Sequence, residues 1–168
     1  MRTDEKFLSE NKGGLLMATQ QIIFRVNEGE YGLDVSQVNA IETLTDVVPV
    51  PNAASHILGI MNLRGDVLPV FSLRTKFGLQ EVPVTEQTKV IITTSNGVAI
   101  AFKVDEVKEI IECDDTKLTE FPSIARTQDT AYVDRVANHN GRLILLLNQD
   151  RLLKDEEAAA ISQMVSNV

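Results

Sequence analysis

The feature that most restricts the fold of this chain is a pattern that occurs twice. The stretch GLDVSQVNAI at residues 32–41 faces AFKVDEVKEI at residues 101–110 at an offset of 69 positions. The matched apolar pairs are Val35 with Val104, Val38 with Val107, and Ile41 with Ile110. Two copies are too few for a solenoid, which needs at least three repeats. The duplication therefore predicts two similar units that pack as a pseudo-symmetric pair.

The downstream part of the repeat runs at an offset of 76 positions. There, IMNLRGDVLPVFSLRTKF at residues 60–77 faces VANHNGRLILLLNQDRLL at residues 136–153, and Gly65 meets Gly141. An asparagine is matched in the same way, Asn62 with Asn138. The seven positions by which the offsets differ (76 minus 69) fall in the irregular segment ECDDTKLTEFPSIARTQDTAYVD. We interpret this segment as an insertion that carries loops.

Short β-rich stretches with frequent turn signals predict that each unit is mainly β. The first is a hairpin, in which IIFRV and EGEYGLDV are separated by Asn27, Glu28 and Gly29. A second β-rich block begins at Lys89. The stretch DVLPVFSL, which follows Gly65, also has the composition of a strand.

Short helices are predicted between these strands. In SQVNAIETL, residues 36–44, apolar residues recur every three positions after Ser36, which is a good N-cap. Asn52 is placed to begin another short helix, and a third, within LRTKFGL, is predicted to end at Gly78. The predicted organisation is a flexible tail at 1–20, a body at 21–153 with copies at 22–78 and 91–153, and a C-terminal helix at 154–168.

Charge and composition exclude several classes of protein. The chain has 16 Lys and Arg against 24 Asp and Glu, a net charge of −8, which disfavours nucleic acid as a partner. The longest aliphatic run, LILLL, is far short of the roughly 18 apolar residues of a membrane span. The single cysteine, Cys113, cannot form an internal disulfide. These features predict a soluble protein of the reducing cytoplasm.

No constellation of catalytic, cofactor-binding or metal-binding residues is found in the sequence. His56 and His139 lie outside any ligand cluster, and we interpret them as surface or locally hydrogen-bonded residues. The aspartates that follow Cys113 raise its pKa and make it a poor nucleophile. The glycines at 59 and 65 do not have the spacing of a phosphate-binding loop. The sequence therefore predicts no enzyme and no cofactor.

Arg64 remains to be explained, because it is a permanent charge within the apolar stretch GIMNLRGDVLPV. Either it binds an anion or a tight turn displays it to a protein partner. Asp66 weakens the first reading, because a carboxylate repels an anion. In the duplicate, Asn140 occupies the position of Arg64. Asparagine and glycine therefore belong to the shared turn, whereas the arginine is not required by it.

Five stretches together resemble the CheW family of bacterial chemotaxis coupling proteins, from about Gln21 to Leu153. They are YGLDVSQVNAIE, VVPVPNAASHI, GIMNLRGDVLPVFSLRTKFGL, VDEVKEII and GRLILLLNQDRLL, and the most specific part is NLRG at 62–65. The resemblance implies two interlocked five-stranded SH3-like β-barrel subdomains in a pseudo-two-fold pair. Short helices, a C-terminal helix and a hydrophobic groove between the subdomains are also implied.

The implied function is that of a non-catalytic adaptor. Such a protein couples the cytoplasmic tips of methyl-accepting chemoreceptors to the regulatory domain of the histidine kinase CheA. It is expected to be cytoplasmic at the receptor array, monomeric when free, and not inserted in the membrane. The residues carried over to the receptor side are Val38, Gly59, Arg64, Val104 and Val107.

The kinase side is carried over to the segment Ala40, Ile41, Glu42, Thr43 and Leu44. The family often has a glutamate where this chain has Ala40, and Glu42 is the residue that can substitute for it. From the residues alone, an alternative stays open: a small β-barrel that binds a peptide or an anion through Arg64. The valines and isoleucines of the repeat likewise fit either an ordinary core or a groove.

Overall fold

A computed structural model describes residues 18–95 and 97–166, and these residues are mainly β. The first copy of the repeat supplies β1 (Ala18–Val26), β2 (Gly29–Asp34), β3 (Val38–Thr43), β4 (Ile57–Leu63), β5 (Asp66–Ser72) and α1 (Leu73–Lys76). The second copy supplies β6 (Lys89–Ser95), β7 (Val98–Val104), β8 (Glu106–Asp114), β9 (Thr119–Glu120), β10 (Val133–His139), β11 (Arg142–Leu147) and the final helix α2 (Asp155–Ser166).

The strands form two sheets that exchange elements between the copies. Sheet A has the order β8-β1-β2-β11-β10-β9, and sheet B has the order β3-β6-β7-β5-β4. Hairpin β1–β2 of the first copy thus pairs with strands of the second, and hairpin β6–β7 pairs with strands of the first. The two interlocked SH3-like units that the sequence predicts are confirmed, and sheet A carries the short β9 in addition.

Equivalent strands pair in the same register in both sheets. Ile22 pairs with Leu33 in sheet A, and 69 positions later Ile91 pairs with Phe102 in sheet B. Each sheet also contains one parallel pair, β2 with β11 and β5 with β7. The duplication in the sequence is therefore a duplication of strand pairing.

Three apolar clusters explain why the strands read as nearly continuous apolar runs. The largest lies between the sheets and takes Phe24 and Leu33 from sheet A and Phe71 and Phe102 from sheet B. Each sheet also curves around a small cluster on its other face, around Ile23 in sheet A and residues of sheet B in the third cluster. Successive side chains of a strand point to opposite faces. Strands with a cluster on each face therefore need apolar residues at consecutive positions.

The helix predicted at 36–44 is wrong. Asp34, and not Ser36, caps a single 3₁₀ turn at Val35–Gln37, with Asp34 Oδ1 accepting from the Ser36 N–H at 2.9 Å. Strand β3 follows, and its pairing with β6 has a bulge between Val38 and Ala40. A bulge adds one residue to the strand. It therefore produces the three-residue spacing of Val38 and Ile41 that resembles a helical pattern.

Two further expectations about local structure need correction. Asn52 begins no helix: it lies in a turn with φ of +57°, and the strand β4 follows at Ile57. Positive φ is accessible to asparagine, but it does not continue into a right-handed helix. Strand β1 begins at Ala18, so residues 18–20 of the predicted tail are part of a strand. The rest of the predicted tail lies outside the described residues.

Two polar contacts join the sheets. On one side, Asp105 accepts from the Arg74 Nε at 3.0 Å and from the backbone N–H of Asn27 at 2.7 Å. On the other side, the neutral Gln149 donates to Thr93 Oγ1 at 3.2 Å. Arg74, which follows the last strand of the first copy, thus contacts a residue of the second copy, whereas Gln149, which follows the last strand of the second copy, contacts the first hairpin of its own copy.

The ionic junction lowers the pKa of Asp105. Burial alone would raise the pKa of this carboxyl group. The hydrogen bonds from Arg74 and Asn27, with the charges of Arg74 and Arg25, outweigh burial, and the pKa lies below its ordinary value. Asp105 is therefore held as a carboxylate between the sheets.

Candidate interaction surface

Arg64 lies in the two-residue turn between β4 and β5. Arg64 and Gly65 have φ of +52° and +92°, the signs of a type I′ turn, which matches the twist of a hairpin. Asn62 Oδ1 accepts from the Gly65 N–H at 2.9 Å and fixes the turn. The Arg64 side chain is 73% exposed. The turn thus displays the guanidinium to solvent, as one of the two sequence readings requires.

The same turn occurs between β10 and β11. Asn140 and Gly141 have φ of +54° and +86°, and Asn138 Oδ1 accepts from the Gly141 N–H at 2.9 Å. Asn-Gly is the commonest sequence for this turn type. The shared backbone therefore accounts for the matched asparagine and glycine, and the side chain at position 64 is free to serve another role.

Arg64 contacts strand β3 through Glu42. The Nη1 of Arg64 lies 3.2 Å from Oε2 of Glu42, whose side chain is 22% exposed. Glu42 and Ala40 are two residues apart on β3 and therefore share a face. Glu42, which the sequence analysis offers as a substitute for the carboxylate missing at Ala40, is thus engaged by Arg64. The residue carried over to the receptor side contacts a residue carried over to the kinase side.

Strand β3 is one of the two edges of sheet B, and among the described strands it pairs with β6 alone. Ile41, at 37% exposure, and Thr43 face outward, whereas Ala40 and Leu44 pack against the small cluster of sheet B. An edge strand with exposed backbone groups is a ready site for a protein partner. Of the five residues predicted to contact the kinase, Ile41 and Thr43 are exposed, whereas Ala40, Glu42 and Leu44 are half-buried.

Val38 and Val107 occupy equivalent positions in the two sheets. Both are half-buried and pack against the cluster between the sheets. Val38 pairs with Thr93 and Val107 with Phe24, in each case next to the bulge in its strand. They lie where the core reaches the surface, so either reading of these residues, core or groove, has a physical basis.

Val104 and Gly59 do not have exposed side-chain surfaces. Val104 is 1% exposed and belongs to the cluster between the sheets. Gly59 is buried, and a Cβ on it would lie 2.1 Å from the backbone oxygen of Val48. Close approach of the segment that pairs with Ile60 thus requires glycine at 59. These two residues shape the surface from beneath and cannot offer side chains to a partner.

Sheet A also has an ion pair next to one of its turns, the turn between β10 and β11. The sequence analysis missed this ion pair. Arg142 Nη2 donates to Glu109 Oε2 at 2.7 Å, and its Nη1 lies 3.3 Å from Glu30. This hydrogen bond lowers the pKa of Glu109. Glu109 is the counterpart of Ala40, so the repeat alignment contained the signal. The arginine, however, stands two positions further along than Arg64.

His56 is hydrogen-bonded and Cys113 is buried. His56 Nδ1 lies 2.9 Å from Thr75 Oγ1, as expected of a locally hydrogen-bonded histidine. Burial, and secondarily the charge of Asp115, raises the pKa of Cys113. Within residues 18–95 and 97–166, no group of three or more His, Cys, Asp or Glu side chains is arranged to hold a metal ion. In the same part of the chain, no helix is long and apolar enough to cross a membrane.

Comparison with known proteins places this geometry in a family. The sequence matches the CheW-like domain over residues 20–157. It is 28% identical over 139 residues to the chemotaxis protein CheW of Bacillus subtilis, covering 83% of this chain and 89% of that protein. It is also 28% identical over 154 residues to the CheW of Klebsiella aerogenes, covering 92% and 93% of the two chains.

The fold has a close match among solved structures. The crystal structure of the scaffolding protein TtCheW from Thermoanaerobacter tengcongensis has a TM-score of 0.75 and 27% sequence identity with this chain. The match covers 84% of this chain and 91% of the other. Sequence and fold agree over nearly the whole described region, and the chain therefore belongs to the CheW-like domain family.

Proposed function

We propose that this protein is a non-catalytic chemotaxis adaptor that couples chemoreceptor tips to the regulatory domain of the histidine kinase CheA. The observation that carries the proposal is the Arg64–Glu42 contact within a CheW-like domain. Through it, the turn proposed to meet the receptor and the edge strand proposed to meet the kinase form one continuous surface. The proposed location is the cytoplasmic face of the receptor array.

The receptor is proposed to contact Arg64 together with the half-buried Val38 and Val107. An arginine beside desolvated aliphatic surface is a common anchor in protein interfaces. Gly59 and Val104 contribute by supporting the surface and not by direct contact. The kinase is proposed to contact the exposed part of β3, at Ile41, Glu42 and Thr43. In the absence of partners we propose a monomer.

Reconstitution tests the adaptor function directly. The protein is mixed with chemoreceptor fragments and CheA at micromolar concentrations, and we expect co-sedimentation of all three and a change in kinase activity. The absence of a ternary complex and of any effect on the kinase would refute the proposal. The alternative, a barrel that binds an isolated anion or peptide through Arg64, predicts binding without any effect on the kinase.

The role of Arg64 is tested with a control from the second copy. Arg64→Ala is expected to weaken receptor coupling, with little change in the melting temperature, because an exposed ion pair contributes about 0–1 kcal/mol. Asn140→Ala makes the same change at the same backbone conformation and should leave coupling intact. A large fall in the melting temperature of Arg64→Ala alone would instead assign the arginine to structure.

A double-mutant cycle tests whether the ion pair links the two partner surfaces. Glu42→Gln removes the charge that Arg64 contacts, and its effect on kinase binding is measured in the wild-type and Arg64→Ala backgrounds. If the pair links the surfaces, the two effects are not additive. Additive effects would mean that Arg64 and Glu42 act on their partners independently.

A further inference from the structure

The turn between β10 and β11 contains the sequence Asn140-Gly141, which the proposed adaptor function does not use. Both residues are exposed, and they are the two central residues of a type I′ turn, with φ of +54° and +86°. The side-chain amide of an asparagine that precedes glycine can react with the next backbone nitrogen, because glycine has no Cβ to obstruct the approach. Asn140 is therefore a candidate site of covalent modification.

The reaction is spontaneous deamidation. The backbone nitrogen of Gly141 loses its proton to the solvent and attacks Cγ of Asn140, so that a carbon–nitrogen bond forms and closes a five-membered succinimide ring. The bond from Cγ to Nδ2 then breaks, and Nδ2 takes up a proton and leaves as ammonia. Water adds to either ring carbonyl group and opens the ring, which produces aspartate or isoaspartate at this position. Water is the only co-reactant, and nothing is oxidised or reduced.

In the folded turn, the nitrogen that must attack is already engaged. The N–H of Gly141 donates to Oδ1 of Asn138 at 2.9 Å. This hydrogen bond keeps the proton on the nitrogen, and the pairing of His139 with Arg142 holds the turn closed. The nitrogen reaches Cγ of Asn140 only after the hydrogen bond to Asn138 breaks. The turn that displays Asn140 to solvent therefore also slows its reaction.

The two products would affect the hairpin differently. Asp-Gly forms the same type of turn as Asn-Gly, so aspartate at 140 leaves the backbone in place. Isoaspartate adds one carbon atom to the main chain of a two-residue turn, which changes the pairing of His139 with Arg142. Arg142 also contacts Glu109 at 2.7 Å and Glu30 at 3.3 Å. Isoaspartate would therefore loosen the contacts of this hairpin with β8 and β2.

We propose that Asn140 is a site of spontaneous deamidation and that the side chain of Asn138 controls its rate. The turn between β4 and β5 provides a comparison, because there the Gly65 N–H donates to Asn62 in the same way. Arg64, however, has no side-chain carbonyl carbon that the nitrogen can attack. Of these two turns, only the second can react. This inference does not depend on the proposed adaptor function.

Peptide mapping of the full chain after incubation at mildly alkaline pH tests the proposal. Trypsin releases VANHNGR, residues 136–142, in which aspartate is measured by mass spectrometry and isoaspartate by methylation with isoaspartyl methyltransferase. The other Asn-Gly of the sequence, at 96–97, lies in a different tryptic peptide. We expect the wild type to react more slowly than the isolated peptide 136–142. Asn138→Ala should react roughly fivefold faster than the wild type, the factor that corresponds to one net hydrogen bond.

Two variants separate this hydrogen bond from general stability. Asn62→Ala removes the equivalent bond from the other turn and should leave the rate at Asn140 unchanged. Asn138→Asp keeps an oxygen that accepts from the Gly141 N–H and should react as slowly as the wild type. The isoaspartyl chain, which ion exchange separates by its added charge, should melt below Asn140→Asp, which has the same charge and an ordinary backbone.

Three results would overturn the proposal. The first is an equal rate at Asn140 in Asn138→Ala and the wild type. The second is a wild-type rate equal to that of the isolated peptide, because the turn would then give no protection. The third is an acceleration in Asn62→Ala as large as that in Asn138→Ala, because loss of global stability would then explain both.

Discussion

The turns at 62–65 and 138–141 have one backbone conformation but differ in their first turn residue, which is Arg64 in one and Asn140 in the other. Both use an asparagine to accept from the glycine N–H, at 2.9 Å in each turn. Asparagine at positive φ is favourable, and Asn140 follows that preference, whereas Arg64 does not. The turn conformation therefore does not require an arginine at position 64. We propose that the Arg64 side chain binds the receptor instead of stabilising the turn.

The same comparison extends to the interior. Between the sheets, one junction is a charged network around Asp105, and another is the neutral hydrogen bond from Gln149 to Thr93. In the small clusters, Met61 corresponds to Ala137. The two copies thus share strand pairing but differ in charge and packing, and substitution can exchange or remove each difference.

The largest effect is expected at the charged junction. Asp105→Asn leaves Arg74 beside a neutral amide, and removal of one partner from a mostly buried ion pair costs about 3–5 kcal/mol of unfolding free energy. Gln149→Leu, at the neutral junction, should cost about 1 kcal/mol, the net value of one hydrogen bond. Urea unfolding of both variants measures the difference. Equal losses would mean that the two junctions are energetically equivalent.

The cost of Asp105→Asn should also depend on pH. The pKa of Asp105 is lower in the folded state, so the carboxylate stabilises the fold fully above its unfolded-state pKa, near 3.8. This contribution is lost as the pH falls from there through the lower folded-state pKa. The difference in unfolding free energy between wild type and Asp105→Asn should therefore shrink below about pH 4. A constant difference down to pH 2 would contradict the assignment.

Next in size is the difference between the small clusters. Met61→Ala gives sheet B the residue that sheet A has at this position, and truncation of a fully buried methionine costs about 2–5 kcal/mol. Ala137→Met adds the same atoms beside a pocket that Ala137 lines, and we expect little or no loss of stability. The melting temperatures of both variants check this. A loss for Ala137→Met as large as that for Met61→Ala would mean that sheet A cannot accept a side chain there.

The smallest effect on stability, and the sharpest on function, is expected for Arg64→Asn. This change gives the first turn the sequence of the second. The more favourable Asn-Gly turn and the lost surface ion pair should nearly cancel, leaving stability within about 0.5 kcal/mol of the wild type. Receptor coupling in the reconstituted complex should fall as in Arg64→Ala. If Arg64→Asn couples receptors as well as the wild type does, Arg64 is not part of the receptor-binding surface.

Much of this architecture follows from the sequence because it depends on local pattern. The hairpin at Asn27, the strand DVLPVFSL and the C-terminal helix could be predicted from turn residues and composition. The short helix predicted at 36–44 was wrong because a bulge gives Val38 and Ile41 the spacing of a helix. The burial of Val104 and Gly59 could not be predicted either, since it depends on which distant segments, such as that at Val48, approach them.

The sequence by itself determined that the chain contains two similar mainly β units, that Arg64 is not needed by the turn that holds it, and that the chain resembles the CheW family. Only the tertiary structure decided which strands exchange between the units, that Glu42 contacts Arg64, and that the small cores contain Met61 in one sheet and Ala137 in the other. The physical reason is how far apart along the chain the interacting residues lie. Turn geometry and strand pattern depend on neighbours along the chain, whereas ion pairs, close approaches and cavities depend on residues that folding brings together.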